Sequence, residues 1–206
     1  MVNNKGGLHM WKRFVSIGDS FTEGIGDEVE GIALKSWVDH FAQLCVNGIE
    51  YANFAKRGLV TKEIRSQQLE KALTFNPDLV SLIAGANDVL KGRWNHQEYK
   101  NEMEFMIDTL SKTDADIIIA NLPDFTVRLP FSSEKKQMLK EQLLEANEVI
   151  LSLSSEYKLH YVDFWKHPLV NDNSLWSTDL IHPNSKGYVK VAELIHSSLP
   201  VHDSSK

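Results

Sequence analysis

Arg13-Phe14-Val15-Ser16-Ile17, followed at once by Gly18-Asp19-Ser20-Phe21-Thr22-Glu23-Gly24, is the stretch on which the fold turns. Its first five residues suit a buried strand, and the glycines that follow permit a tight turn into a helix. Four more runs have the same character, at residues 49–54, 79–84, 116–120 and 160–164. Helical periodicity fills the intervals. Residues 36–46 open on Ser36 and Asp39, a capping box with Asp in place of Glu, and carry Trp37, Phe41 and Leu44 on one face. Residues 61–73 repeat Ile64, Gln68 and Ala72, and a helix capped by Asn95 turns Tyr99, Met103, Met106 and Leu110 inward. Residues 133–157 and 186–199 continue the pattern with Leu139, Leu143, Ala146, Ile150 and Leu153, then Tyr188, Val191, Ala192 and Ile195.

Strand and helix thus alternate five times. Right-handed crossovers then require a parallel sheet covered on both faces, so the expected fold is α/β: a three-layer α/β/α sandwich around a flavodoxin-like five-stranded parallel sheet. Ligands in such sheets bind beyond the carboxyl ends of the strands, where strand order reverses.

The 206 residues, 42% apolar and 24% charged, describe an ordinary globular chain with enough material for a core. One domain over residues 10–206 is expected, with 1–9 an extension outside the fold, because Met10 stands just before the first strand-like run. A net charge of −6 argues against nucleic acid as a partner, since that role needs clustered Lys and Arg. The single Cys45, among Phe41, Ala42, Leu44 and Val46, reads as a small core residue. No stretch resembles a signal peptide or a membrane span, so a cytoplasmic protein without membrane insertion is expected.

The residues just past each strand are the ones that matter. Gly18-Asp19-Ser20 puts a hydroxyl at the functional edge, although alone it reads equally as a capped strand-to-helix turn. Gly58 follows the second strand and Gly85-Ala86-Asn87-Asp88 the third, so a glycine amide and a carboxamide can approach Ser20 as donors to a developing oxyanion. In isolation Gly58 is a turn glycine and Asn87 an Asx-turn. After the fifth strand comes Asp179-Leu180-Ile181-His182-Pro183-Asn184. An Asp three residues before a His can accept its Nδ1 proton and leave Nε2 free to deprotonate a serine. Asp163 and His167 form a competing pair, ranked second because Asp163 falls within the fifth strand-like run. His40, His160 and His196 lie in periodic segments and read as structural.

Together these blocks resemble the SGNH or GDSL-type esterases and lipases, in order and in spacing, across most of the chain. Gly18-Asp19-Ser20 is similar to the family's first block, Gly58 to its second, Gly85-Ala86-Asn87-Asp88 to its third and Asp179-Leu180-Ile181-His182 to its last; Phe21 stands where Leu is usual. The resemblance implies a carboxylic-ester hydrolase with Ser20 as nucleophile, His182 as base and Asp179 as its orienting carboxylate. It implies oxyanion donors at the Ser20 N–H, the Gly58 N–H and the Asn87 side chain, and a small-molecule ester substrate. It implies no metal and no other cofactor.

Substrate choice falls to the loops 89–96, 124–132 and 166–178, where Trp94, Phe125, Phe131 and Trp176 are candidates to line an acyl or aryl pocket. Arg93 and Arg128 are candidates to meet an anionic group. Small or short-chain esters are expected, since so short a chain has no room for a large lid. Two other functions stay open: Asp19, Asn87, Asp88 and His182 as donors to a divalent metal for phosphoester hydrolysis, and a catalytically silent binding module on the same fold.

Overall fold

In β1 (Arg13–Gly18) successive side chains point to opposite faces, and both faces are buried, as a parallel sheet between helix layers requires. Val15 and Ile17 join one core, Phe14 the other. A computed structural model describes residues 11–45 and 48–200. The extension expected at 1–9 lies outside the described residues. After β1 come α1 (Ser20–Glu23), α2 (Trp37–Leu44), β2 (Glu50–Asn53), α3 (Thr61–Thr74), β3 (Leu79–Ile83), α4 (Ala86–Leu90) and α5 (His96–Ser111). The chain continues through β4 (Asp116–Ala120), α6 (Ser133–Glu156), β5 (His160–Val162) and α7 (Ser185–Ser198).

All strand pairs are parallel and the order is β2-β1-β3-β4-β5, the flavodoxin-like order expected from the alternation. Its switch point lies between β1 and β3, the strands that Ser20 and Asn87 follow. Val15, Ile17, Val80, Leu82, Ile117 and Ile119 pack under α3, α5 and α6, against Ile64, Met103, Met106 and Leu143. Phe14, Leu79, Ile83, Ile118 and Val162 meet Trp37 and Phe41 of α2 and Tyr188 and Ile195 of α7. Two buried polar residues within the sheet satisfy each other, the Ser81 hydroxyl donating to Ser16 Oγ at 2.7 Å.

The capping box of α2 forms as read, with Ser36 accepting from the Asp39 N–H and Asp39 accepting in return. Leu44, read on the inner face, is 36% exposed at the last residue of α2. Cys45, read as core, is only half-buried. The short helices α1 and α4 are too brief to leave a periodic signal, yet they begin where β1 and β3 stop. The strand expected at 160–164 ends at Val162, because the Asn121 carboxamide takes over the N–H groups of Phe164 (2.6 Å) and Trp165 (3.0 Å). Asp163 therefore stands just past the sheet instead of within it.

Gln68, read from its period alone as a core-facing position of α3, has a specific task. It is 2% exposed, and its carboxamide accepts from the Gly18 N–H at 2.8 Å and donates to the Gly18 carbonyl at 2.9 Å. A side-chain amide thus pairs with the backbone at the end of β1, two residues before Ser20. Gln68→Leu keeps the bulk and removes both bonds from a buried backbone pair. It should lower unfolding stability by about 2–4 kcal/mol, as two buried groups lose their partners, measured by urea denaturation.

Candidate active site

Ser20 is the first residue of α1, and Asp19 caps that helix by accepting the Phe21 N–H at 3.1 Å. The His182 ring reaches Ser20 from the loop before α7, with Nε2 2.7 Å from the Ser20 Oγ. Its Nδ1 lies 2.6 Å from Asp179 Oδ2. A neutral ring protonated on Nδ1 makes both contacts hydrogen bonds, donating to the carboxylate and accepting from the hydroxyl. Asp179 Oδ1 also accepts the N–H groups of Ile181 and His182, each at 2.9 Å. Burial works against the charge on Asp179, but the His182 ring and these two N–H groups outweigh it and hold the carboxyl below its ordinary range.

The competing pair does not meet. Asp163 accepts from Asn121 at 2.7 Å, and His167 Nδ1 accepts the Leu169 N–H at 3.3 Å to cap a short 3-10 turn. Spacing alone did not separate the two pairs; the strand ending at Val162 does.

Several braces hold the Asp179 and His182 loop, and none has a signal in one sequence. Ser177 donates to the Pro183 carbonyl (3.0 Å) and accepts the Asp27 N–H (2.8 Å), while Asp27 accepts the Thr178 N–H (2.7 Å). Leu180, at φ +64°, sits in the left-handed region, which a leucine occupies only when held there. Its carbonyl accepts from Arg128 Nε at 3.2 Å, and Arg128 also donates to the Val170 carbonyl at 2.7 Å. The same guanidinium stacks 3.6 Å from the centre of the Trp176 ring. Burial lowers Arg128 to about 10, with Asp124 opposing the shift, so the cation stays charged at neutral pH.

On the other side of Ser20, the Asn87 carboxamide donates one N–H to the Leu59 carbonyl at 3.0 Å. The second N–H of that group meets no acceptor among the described residues. Gly58 adopts φ +78°, a conformation suited to glycine, and its carbonyl accepts from Lys91 Nζ. Asn87 and Lys91, four residues apart, thus hold the Gly58 and Leu59 peptides from α4 and its end. Asp88 faces away, accepting the Thr61 N–H and hydroxyl at the start of α3. Of the four donors of the phosphoester reading, Asp19, Asn87 and His182 line one cavity while Asp88 is taken up by Thr61, and among the described residues no group of three or more His, Cys, Asp or Glu is placed to hold a metal ion.

Ser20, Asn87 and His182 open onto a cavity of about 140 Å³, walled by Ile83, Ala86, Leu90, Leu122, Phe125 and Trp176 among others. Phe125 and Trp176 line it as anticipated. Trp94 does not, since its ring packs on Tyr99 and its Nε1 donates to Glu145, and Phe131 lies beneath Lys135 instead. Arg93 pairs with Glu63 at 3.6 Å, away from the cavity.

A Ser–His–Asp chain at the switch point of a flavodoxin-like sheet is the arrangement of a hydrolase-type α/β protein. The profile of the GDSL-like Lipase/Acylhydrolase family matches residues 16–190, and the chain belongs to that family. An acetylxylan esterase from Xylanibacter ruminicola is 26% identical over 210 residues, covering 91% of this chain. The chain spans only 43% of that relative's length. The lipase/acylhydrolase from Enterococcus faecalis superposes with a TM-score of 0.73 at 21% identity, covering 90% of this chain and 94% of its own. The acetylxylan esterase Axe2 from Geobacillus stearothermophilus superposes with a TM-score of 0.71 at 18% identity, covering 91% and 93%. At these identities the two structures speak for the fold.

Gly26 is where the α1 loop presses on the His182 loop. A Cβ there would fall 2.1 Å from the Pro183 carbonyl oxygen and 2.9 Å from Ser177 Oγ. Gly26→Ala should displace the ring of His182 and lower kcat by roughly tenfold to a hundredfold with KM little changed, measured on a chromogenic ester.

Asp19 is 3% exposed, and desolvation raises its carboxyl from 3.8 to about 6, against the Phe21 N–H and the field of His182. A carboxyl raised in the fold favours folding while protonated, so its penalty grows between about pH 4 and 6 and is constant above. That span corresponds to about 3 kcal/mol. Asp19→Asn keeps the helix cap and should make the protein more stable than the parent at pH 8 but not at pH 4, measured by urea unfolding at both.

Proposed function

We propose that this chain is a serine ester hydrolase that works through an acyl-enzyme on Ser20. The observation that carries it is the continuous hydrogen-bonded path from the Ser20 hydroxyl through both nitrogens of His182 to Asp179, at 2.7 and 2.6 Å. As Ser20 Oγ attacks the ester carbonyl, His182 Nε2 takes the hydroxyl proton and Asp179 stabilises the resulting imidazolium. The carbonyl electron pair moves onto oxygen, where the Ser20 N–H, the Gly58 N–H and the unpaired Asn87 N–H are the donors. Collapse expels the alcohol, which takes the proton from His182. A water molecule, deprotonated by the same ring, then attacks the acyl-enzyme and the carboxylic acid leaves. Every proton and electron pair is handled by the chain's own groups.

Ser20 suits the nucleophile's place because the Gly18 to Ser20 turn is gripped by Gln68 from below and by its own helix cap from above. Small esters are the substrates that a cavity of about 140 Å³ admits. Residues 10–206 would then form one hydrolase domain.

A fluorophosphonate probe should label Ser20 in the parent, with or without EDTA, and fail on Ser20→Ala and His182→Ala. Asn87→Ala should retain labelling and lose about 10²–10³ in kcat, as expected for one oxyanion donor. EDTA-sensitive phosphoester hydrolysis, or a folded protein that neither labels nor cleaves any ester, would reject the assignment.

A further inference from the structure

We infer that the acyl group accepted here is a chain of about four to six carbons rather than acetyl, and that α4 sets its length. The inference rests on the serine-hydrolase assignment and specifies its substrate.

The cavity beside Ser20 measures about 140 Å³. An apolar cavity of about 150 Å³ holds a six-carbon ring such as benzene. Acetyl carries a single methyl group, so it would leave most of this space unfilled. The walls are apolar: Ile83 at the end of β3, Ala86 and Leu90 on α4, Leu122 and Phe125 after β4, and Ile181.

The polar groups in the wall do not invite a sugar. Asn121 has all four of its hydrogen-bonding positions filled, donating to Tyr161 Oη and Asp163 and accepting from the Phe164 and Trp165 N–H groups. Ser20, His182 and Asn87 are the reacting groups themselves, and Asp19, 3% exposed, is taken up by the Phe21 N–H that it caps. Hydroxyl-binding side chains lie instead on the other side of Trp176, in an open groove with Asn171, Asn173, Thr178 and Arg128. Trp176 forms a wall of both. The apolar cavity therefore takes the acyl chain, and the alcohol faces the polar groove and solvent.

Ala86 is the small residue of α4 in the cavity wall, and Leu90 lies one helical turn further on. Enlarging Ala86 shortens the space, and shortening Leu90 extends it. Each methylene buried should raise kcat/KM about fourfold, until the chain exceeds the cavity.

The test is kcat/KM for p-nitrophenyl acetate, butyrate, hexanoate, octanoate and decanoate, on the parent, Ala86→Leu and Leu90→Ala, each first titrated with fluorophosphonate. The parent should be best on butyrate or hexanoate, at about tenfold or more over acetate. Ala86→Leu should move the maximum to acetate, and Leu90→Ala should move it to octanoate. Labelled parent enzyme that prefers acetate, or variants that scale every ester equally, would overturn the inference while leaving the hydrolase assignment intact. Absence of both labelling and hydrolysis would overturn the two together.

Discussion

A strand of a parallel sheet that stops must find partners for the N–H and C=O groups it no longer pairs, and this protein meets that constraint with buried carboxamides. Gln68 bonds both backbone groups of Gly18 at the end of β1. Asn147, from α6, does the same for Leu122 just after β4, at 2.7 and 2.9 Å. Asn121 receives the chain as it leaves β5, and Asn53 donates to the Thr22 carbonyl while accepting the Ala55 N–H beyond β2. Strands can therefore end without exposing unpaired backbone, and the loops that leave them diverge into a crevice. Ser20, the Gly58 loop, the cavity wall and the His182 loop all begin from one of these closed ends.

Charge is distributed around that crevice unevenly. Asp19 is buried and pushed up to about 6, whereas Asp179 is half-exposed, tied to His182 and two backbone N–H groups, and held low. The carboxylate that orients the ring is thus the one kept ionised by hydrogen bonds. The other is carried at an energetic disadvantage for the turn it caps. Local destabilisation at a functional edge is common where the surrounding packing over-determines the conformation. Here the surrounding packing includes Asp27, Ser177, Gly26 and the Arg128 stack, which together fix a loop containing a left-handed leucine.

Much of this is legible in the sequence. Hydrophobic periodicity located five strands and five long helices within a few residues, because both faces of a parallel sheet and the inner stripe of each helix must be apolar. Strand order followed from alternation and handedness, the Ser20, Gly58 and Asn87 positions from their places after strands, and the His182 position from its place just before the last helix. The short helices α1 and α4 left no trace, being under two turns. The inner face assigned to Leu44 failed because helix length, not period, decides where a stripe ends.

Residue types and their order along the chain determined which groups lie at the carboxyl edge of the sheet, since a strand's end is a local property of the sequence. Which of those groups touch was decided by tertiary structure alone. Asp163 with His167 and Asp179 with His182 have comparable spacing; the point at which β5 leaves the sheet directs Asp163 to Asn121, and the contacts of Asp27, Ser177 and Arg128 hold the loop that brings His182 to Ser20. Gln68, Asn147, Gly26 and Arg128 carry no local signal because each acts on backbone or loops 25 to 157 residues away in the chain. Hydrogen bonds and close contacts are made through space, at distances of about 3 Å that sequence separation does not encode.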